Sequence, residues 1–182
     1  SSLNAQVNQS AARVLFAAHN FYHPEEGSYV EFYLSFDAMS LEYKKTENYY
    51  QARLEVLYVI KKHEKVIKYQ KFEVLSPRMM HESNRQDFAD MQTMTVKPGE
   101  YTLEVSIWDA NKEDVKPVTA SQPLTVRFEQ DEMAISEFMF ERDVIATAQE
   151  GPFVKNGISM TPWLVSTIPA YMGDIYLYAE VY

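Results

Sequence analysis

The sequence predicts an all-β protein built from antiparallel sheets. Apolar and polar residues alternate with a period of two in several stretches, most clearly from Tyr101 to Ile107, directly after the Pro98-Gly99 turn. Such alternation is typical of a strand with one buried and one solvated face, which is common in antiparallel sheets. With 46% hydrophobic and 14% aromatic residues among 182, the chain can also fill a core. Global disorder is therefore excluded.

The first elements are predicted from short patterns. The apolar run Arg13 to Ala18 fits either a strand or a helical turn, because it is too short for its period to decide. The following stretch, His19 to Gly27, contains proline and glycine and is predicted to be a loop. Ser28 to Phe36 alternates cleanly and predicts a strand.

A hairpin is predicted next. Tyr49 to Ile60 alternates and predicts a strand, and the charged segment Lys61 to Lys65 predicts the turn. Val66 to Leu75 returns as the partner strand, and its lysines are typical of an exposed sheet edge, where they discourage pairing with other chains. Ser83 and Gln86 have the spacing of a capping box, which allows a single helical turn.

The stretch from Phe88 to Ala110 predicts a central hairpin. Proline fixes φ and glycine accepts positive φ, so Pro98-Gly99 is expected to turn the chain between two strands. A last strand is predicted over Pro123 to Phe128. The count is then about seven strands, which is typical of an immunoglobulin-like β-sandwich. We predict that this sandwich occupies residues 1–130.

A second, smaller or incomplete β unit is predicted over residues 131–182. Asp174 to Tyr182 alternates again, and its end, Tyr178 to Tyr182 (YAEVY), echoes Tyr29 to Tyr33 (YVEFY). Two strands with the same alternation also look alike by composition alone, so the echo has two explanations. The unit has too few strands for a second sandwich, and it either leans on the first unit or belongs to a longer protein.

Charge and composition limit the partners. The net charge of −9 and the pI of about 4.9 argue against nucleic acid, whose phosphates need lysine and arginine. The absence of cysteine excludes disulfides and thiolate chemistry, and no apolar run is long enough to predict a membrane span. The opening Ser1 to Gln6 resembles the end of a secretory signal peptide or is an ordinary flexible terminus.

Motifs for catalysis, cofactors or metals are not found. The five glycines form neither a phosphate-binding loop nor a nucleophile elbow. His19 and His23 lie near Glu25 and Glu26, but Pro24 favours a solvated turn over a metal site. Asp109 to Ala120 lacks the glycine and the glutamate of a calcium loop. We therefore predict a protein that is not an enzyme and holds no metal or cofactor.

The aromatic residues supply the candidate contact sites. Trp108 falls on the polar face of its strand, and we predict that the second unit covers it and so packs rigidly against the first. Exposed aromatic rings can stack on sugars or anchor a protein partner. The candidates for ligand contact, in or beside predicted loops, are Tyr49, Tyr50 and Trp163.

Three segments carry a family resemblance. YVEFYLSFDAMSLEY, YQARLEVLYVI and DFADMQTMTVKPGEYTLEVSIWDAN resemble the N-terminal region of secreted Bacteroidota proteins of the GWxTD-domain-containing group. The resemblance covers Gly27 to Ala110, and bacterial immunoglobulin-like modules are a wider alternative. The motif that names the group is absent, since Trp108 is not preceded by glycine. The resemblance implies an immunoglobulin-like sandwich and export, and it implies no mechanism.

These observations favour a non-enzymatic, exported β-sandwich module for adhesion or protein–protein interaction in a bacterial cell envelope, either periplasmic or extracellular. A glycan-binding accessory module is the alternative, and it predicts exposed, coplanar aromatic rings. An enzyme with an unrecognised site is a third possibility, and it predicts a deep pocket with convergent carboxylates or histidines.

Overall fold

The computed structural model describes residues 11–114, 116–127, 135–165 and 167–182. These residues form antiparallel strands and two short 3-10 turns, Ala38–Ser40 and Glu82–Asn84. None of their helical segments is long and apolar enough to cross a membrane. The strands are β1 Val14–His23, β2 Gly27–Phe36, β3 Lys44–Lys45, β4 Tyr50–Gln51, β5 Arg53–Lys62, β6 Lys65–Leu75, β7 Phe88–Thr95, β8 Gly99–Asp109, β9 Val118–Val126, β10 Met139–Ala146, β11 Val154–Lys155, β12 Ile158–Pro162 and β13 Tyr176–Tyr178.

Two sheets enclose the main core. The first sheet has the strand order β1-β2-β7, and the second sheet has the order β6-β5-β8-β9. Alternate residues of β2 and β5 face each other between the sheets, because successive side chains of a strand point to opposite faces. Those alternate residues are fully buried: Val30, Phe32, Leu34, Phe36, Leu54, Val56, Tyr58 and Ile60. The prediction of an all-β, antiparallel protein is confirmed.

Aromatic rings fill the centre of this core. The rings of Phe32 and Tyr58 lie 4.6 Å apart between centroids, and Phe16 and Phe72 pack against Tyr58 at 6.0 and 5.4 Å. Aromatic pairs at these distances add about 0.5–1.5 kcal/mol each to the free energy gained from burying their surface. Apolar contacts between β2 and β5 therefore form the centre of the core, which also contains residues of β8 and β9.

The first hairpin is longer than the sequence pattern predicts. β1 continues to His23, which pairs with Gly27, so only Pro24 to Glu26 form the turn. The predicted loop from His19 to Gly27 is therefore wrong for His19 to His23, which belong to β1. The strand continues because Asn20 and Phe21 are buried, which a local composition of histidine and asparagine does not reveal.

The predicted β5–β6 hairpin is confirmed. His63 and Glu64 form its turn with positive φ angles of 47° and 65°, the conformation of the tight turns that match strand twist. β5 and β6 pair from Arg53 with Leu75 to Lys62 with Lys65. The predicted helical turn near Ser83 is a 3-10 turn.

The predicted central hairpin is wrong, because β7 and β8 lie in different sheets. β7 pairs with β2, whereas β8 pairs with β5 and β9. The Pro98-Gly99 segment therefore carries the chain from the first sheet to the second. Gly99 has a φ of 152°, and the hydroxyl of Tyr101 donates to the backbone oxygen of Lys97 at 2.8 Å, which closes the connection. Alternation predicts the faces of a strand but not its partner.

A third sheet follows in the chain, with the order β11-β12-β10-β13. Its inner face contacts the outer face of the first sheet through a small apolar cluster of Phe21, Tyr33, Met139 and Leu164. The boundary predicted between residues 130 and 131 lies outside the described residues. The described part of residues 131–182 is thus strand-rich and touches the first sheet.

Candidate functional site

The richest set of ionisable side chains lies between the first and third sheets, and we call it the interlayer cluster. Alternation puts Tyr29, Glu31 and Tyr33 on the outer face of β2. The two echoing Tyr-x-Glu-x-Tyr segments of the sequence therefore meet at this contact. The interlayer cluster consists of Tyr29, Glu31, Tyr33, Glu141, Lys155, Tyr178, Glu180 and Tyr182.

Lys155 is the cation at the centre of the cluster. Its Nζ lies 2.8 Å from Oε1 of Glu31 on β2 and 3.3 Å from Oε1 of Glu180 beside β13. The side chains of Lys155 and Glu31 are only 15% and 3% exposed. The ring of Phe21 lies 3.6 Å below the same Nζ, and its negative face favours a cation. Lys155 thus links the sandwich to the third sheet through a shielded ion pair.

Tyrosine hydroxyls complete the shell of both glutamates. Tyr33 donates to Glu31, Tyr178 donates to Oε1 of Glu180 at 2.6 Å, and Tyr182 donates to Oε2 at 3.0 Å. Burial, followed by the neighbouring carboxylates, raises the pKa of Tyr33 and Tyr178 well above the ordinary value. These tyrosines therefore remain neutral hydrogen-bond donors at neutral pH, and they offer no tyrosinate base.

Glu141 is the anomaly of the cluster. It is fully buried on β10, and neither carboxylate oxygen has a hydrogen-bond partner within the described residues. Burial raises its pKa to about 7, against the lowering effect of Lys155, and Glu31 raises it further. It lines a cavity of about 10 Å³ beside Tyr33 and Phe153, which is at the lower limit of the volume that one water molecule needs.

A larger groove opens beside the cluster. It has a volume of about 410 Å³ and is lined by parts of β2, β7, β10 and β12. Two charged groups line it, and both have partners within the protein. Arg142 bonds to Asp143 at 2.9 Å, and Asp87 accepts the backbone N–H of Ala38 at 2.9 Å. The groove therefore offers walls of mixed polar and apolar character rather than an acid–base pair.

The opposite side of the third sheet carries apolar side chains in solvent, and we call it the outer apolar face. Phe140 pairs with Leu177, and Ile135 pairs with Val181, so the two cross-strand pairs share one face. Alternation supports this orientation, because Met139 and Glu141 on either side of Phe140 are buried. The face consists of five residues that are 48–69% exposed: Ile135, Phe138, Phe140, Leu177 and Val181.

The ligand-contact candidates do not form one aromatic cluster. The guanidinium carbon of Arg78 lies 4.5 Å from the ring centroid of Tyr49, and Lys45 Nζ lies 5.7 Å from that of Tyr50. Trp163 follows β12, and its indole nitrogen donates to the backbone oxygen of Thr167 at 3.2 Å. The described rings of the two tyrosines and Trp163 make no contact with one another.

Trp108 lies on the outer face of the second sheet. It pairs with Glu55 across β5, and Lys71 Nζ lies 5.9 Å from its ring centroid. The apolar cluster described between the sandwich and the third sheet is formed with the first sheet instead. The structure therefore places Trp108 on a different sheet from the one that the third sheet contacts.

The histidines of the first hairpin have local roles. His19 Nδ1 lies 3.6 Å from a carboxylate oxygen of Glu137. His23 Nδ1 accepts the backbone N–H groups of Glu25 and Glu26, both at 3.3 Å. Within the described ranges, no three metal-ligating side chains of histidine, aspartate or glutamate come together.

Sequence reasoning missed Glu141 and Lys155 as members of a site. Each is a single charged residue in a short strand, and charged residues of this kind are usually solvated. The signal that was available is the echo between Tyr29–Tyr33 and Tyr178–Tyr182, because two faces of the same composition can pack on each other. A scan of protein-family models and a search of curated proteins found no match to this chain.

Proposed function

We propose that the chain is a non-enzymatic, immunoglobulin-like β-sandwich module that acts by protein–protein interaction in adhesion at a bacterial cell envelope. The outer apolar face is its contact surface, and the partner is the same face of a second copy. The exposure of five large apolar side chains on one sheet face carries this proposal, since contiguous apolar patches on soluble proteins mark interaction sites.

Strand order supports the immunoglobulin-like part of the proposal. The first sheet pairs β1, β2 and β7, and the second pairs β6, β5, β8 and β9. If the seven sandwich strands are lettered A, B, C, C′, E, F and G in chain order, the two sheets are A-B-E and C′-C-F-G. The Tyr101 hydroxyl bonds back to Lys97 at the start of β8, as in the tyrosine corner of immunoglobulin-like sandwiches.

The two echoing strands support the role of the outer apolar face. On β2, the residues that alternate with Tyr29, Glu31 and Tyr33 are fully buried under the second sheet. In the echoing segment, Leu177 on β13 and Val181 just beyond it occupy the corresponding apolar face and are exposed. A face of this composition therefore suits the apolar face of another β-sheet, which packs on it at about 10 Å.

A second copy of the chain supplies such a face without further assumptions. The five residues of the outer apolar face carry no charge, so a two-fold axis can bring the face onto itself without opposing like charges. Five half-exposed side chains offer roughly 500 Å², which gives about 1,000 Å² for a dimer and lies at the lower limit of specific interfaces. We therefore expect weak, concentration-dependent association.

The chemistry of the interlayer cluster supports a non-enzymatic role. Glu141 is fully buried beside a cavity of only about 10 Å³, which is too small to admit a substrate. Glu31, Lys155 and the tyrosine hydroxyls are engaged with one another. A catalytic acid or base must come within hydrogen-bond distance of the substrate, so this cluster is better suited to holding the third sheet.

The proposed location and the glycan-binding alternative rest on different observations. The exported, envelope-associated location rests on the resemblance to the GWxTD-domain-containing group. The glycan-binding alternative has less support, because cations lie over the rings of Tyr49 and Tyr50, and Trp163 lies elsewhere. A flat aromatic platform for sugar rings needs open ring faces.

Sedimentation velocity over a wide concentration range tests the contact surface. We expect a monomer at low concentration and a dimer at high concentration. Leu177→Glu should weaken association at least tenfold, since it places a charge in the centre of an apolar contact. Tyr69→Glu is the matched control, because Tyr69 is 70% exposed on β6, away from this face. Added salt should strengthen association by screening the repulsion between two acidic chains.

Beads coated with the chain test adhesion directly. Beads that carry the wild type or Tyr69→Glu should cluster, and beads that carry Leu177→Glu should stay dispersed. A chain that remains monomeric at millimolar concentration, or a Leu177→Glu variant that associates like the wild type, would show that this face is not the contact surface. Association that persists without bead clustering would keep the dimer and remove the adhesive role.

A further inference from the structure

One buried carboxyl in the contact between the sandwich and the third sheet has no partner. Glu141 points from β10 toward β2, and both of its oxygens lack a hydrogen-bond partner within the described residues. Glu31 of the cluster already has Tyr33 and Lys155, and Glu180 has Tyr178 and Lys155. An ionised carboxylate in such a place is costly, and a protonated one is tolerated.

We propose that Glu141 is a pH-sensitive switch that holds the third sheet against the sandwich when protonated and loosens this contact when ionised. The proposal goes beyond self-association and does not depend on it.

The charges around Glu141 explain the direction of the switch. β2 contributes Glu31 and Tyr33, and β11 contributes Lys155. β13, which neighbours β10 in the sheet, contributes Tyr176, which pairs with Glu141. The other ionisable groups of this contact include Tyr29, Tyr178, Glu180 and Tyr182 of the cluster, and Tyr22, His19 and Glu137 on the β1 side. Lys155 is therefore bonded to the two carboxylates of Glu31 and Glu180, and Glu141 is left without a bond to it.

The sign of the pH dependence follows from the direction of the shift. Burial raises the pKa of Glu141 from 4.5 to about 7 in the closed arrangement. A carboxyl whose pKa is raised on closing stabilises the closed state fully below pH 4.5. That stabilisation is lost as the pH rises through about 7. We expect the opening equilibrium of the third sheet to grow on the order of 100-fold between pH 5 and pH 8.

Hydrogen exchange on the whole chain, followed by mass spectrometry, measures this opening. The exchange rates are corrected for the intrinsic pH dependence of amide exchange. Peptides from β10 and β12 should lose protection from pH 5 to pH 8, while peptides from β5 and β8 keep theirs. Glu141→Gln should remove most of this slope, since glutamine is neutral throughout. Glu55→Gln is the surface control, because Glu55 is half-exposed and bonds to Lys71 at 2.7 Å.

His19 is tested separately from Glu141, because it lies 3.6 Å from Glu137 on the β1 side of the same contact. His19→Gln should retain the slope of the wild type. A carbon-13 NMR titration of the Glu141 carboxyl in the wild type gives a second measurement that needs no variant. A carboxyl that titrates near 4.5, a flat exchange profile from pH 5 to pH 8, or a slope that survives in Glu141→Gln overturns the proposal.

Discussion

At the scale of single residues, burial decides which ion pairs stabilise the protein. Lys155 with Glu31 and Lys71 with Glu55 have similar distances, 2.8 and 2.7 Å. The first pair is shielded between two sheets, whereas Lys71 and Glu55 are 56% and 35% exposed. Water and salt screen the exposed pair, so the two bonds contribute very differently.

Lys155→Met should therefore be strongly destabilising. It leaves Glu31 buried and Glu180 half-buried without their cation, and the loss of one partner of a buried pair costs about 3–5 kcal/mol in the free energy of unfolding. Lys71→Met, its matched control, should cost less than about 1 kcal/mol. Urea denaturation followed by circular dichroism measures both. Equal losses in the two variants would show that the Lys155 pair is no better shielded than a surface pair.

At the scale of elements, the sequence predicts the turn between β7 and β8 correctly but not which strands it connects into a sheet. Pro98-Gly99 does reverse the chain, but it joins two sheets rather than two paired strands. The hydroxyl of Tyr101 stabilises the connection by its bond to Lys97. The ring of Tyr101 also lies 3.2 Å from the position of a Cβ added to Gly99, so glycine is needed there for space and for its φ.

Tyr101→Phe should lower the free energy of unfolding by about 1 kcal/mol, since it removes a hydrogen bond and leaves the Lys97 oxygen without its donor. Tyr58→Phe is the control. The Tyr58 hydroxyl is buried and has no hydrogen-bond partner among the described residues, so its removal should be neutral or stabilising. Chemical denaturation of both variants provides the comparison. A loss for Tyr58→Phe that matches Tyr101→Phe would contradict the assignment of bonded and unbonded hydroxyls.

At the scale of the whole molecule, the three sheets differ in how much core each contact buries. The contact between the first and second sheets contains two dozen buried residues from Ala12 to Val126, whereas the contact with the third sheet is centred on four. Apolar burial is the main stabilising contribution, about 25 cal/mol per Å². Separating the third sheet from the sandwich therefore exposes less apolar surface and costs less free energy than separating the first two sheets.

We expect the third sheet to open at a lower free energy than the sandwich. Native-state hydrogen exchange at pH 5 in increasing urea should show amides of β10 and β12 exchanging through a separate, smaller opening, and amides of β5 and β8 exchanging only with global unfolding. Merging of all four strands into one opening would instead show that the described sheets unfold as a single cooperative unit.

The strand pattern was largely accessible from the sequence, and the candidate site was not. Alternation identified β2, β5 and β8 with their buried faces, since apolar burial acts on every second residue of a strand. The same reasoning misplaced the end of β1 and the partner of β7, because burial of Asn20 and pairing with β2 depend on residues far away in the chain. Glu141 and Lys155 each look like ordinary surface charges when only their neighbours in sequence are considered.

The sequence by itself determined the class of the fold, the composition of the strand faces and the two Tyr-x-Glu-x-Tyr segments. Only the tertiary structure decided that these two segments face each other around Lys155, that Glu141 is enclosed without a partner and that the apolar side of the third sheet lies in solvent. The physical reason is the distance along the chain over which each property is set. A period of two is a local property of the backbone, whereas charge pairing, desolvation and exposure depend on which sheet faces come together.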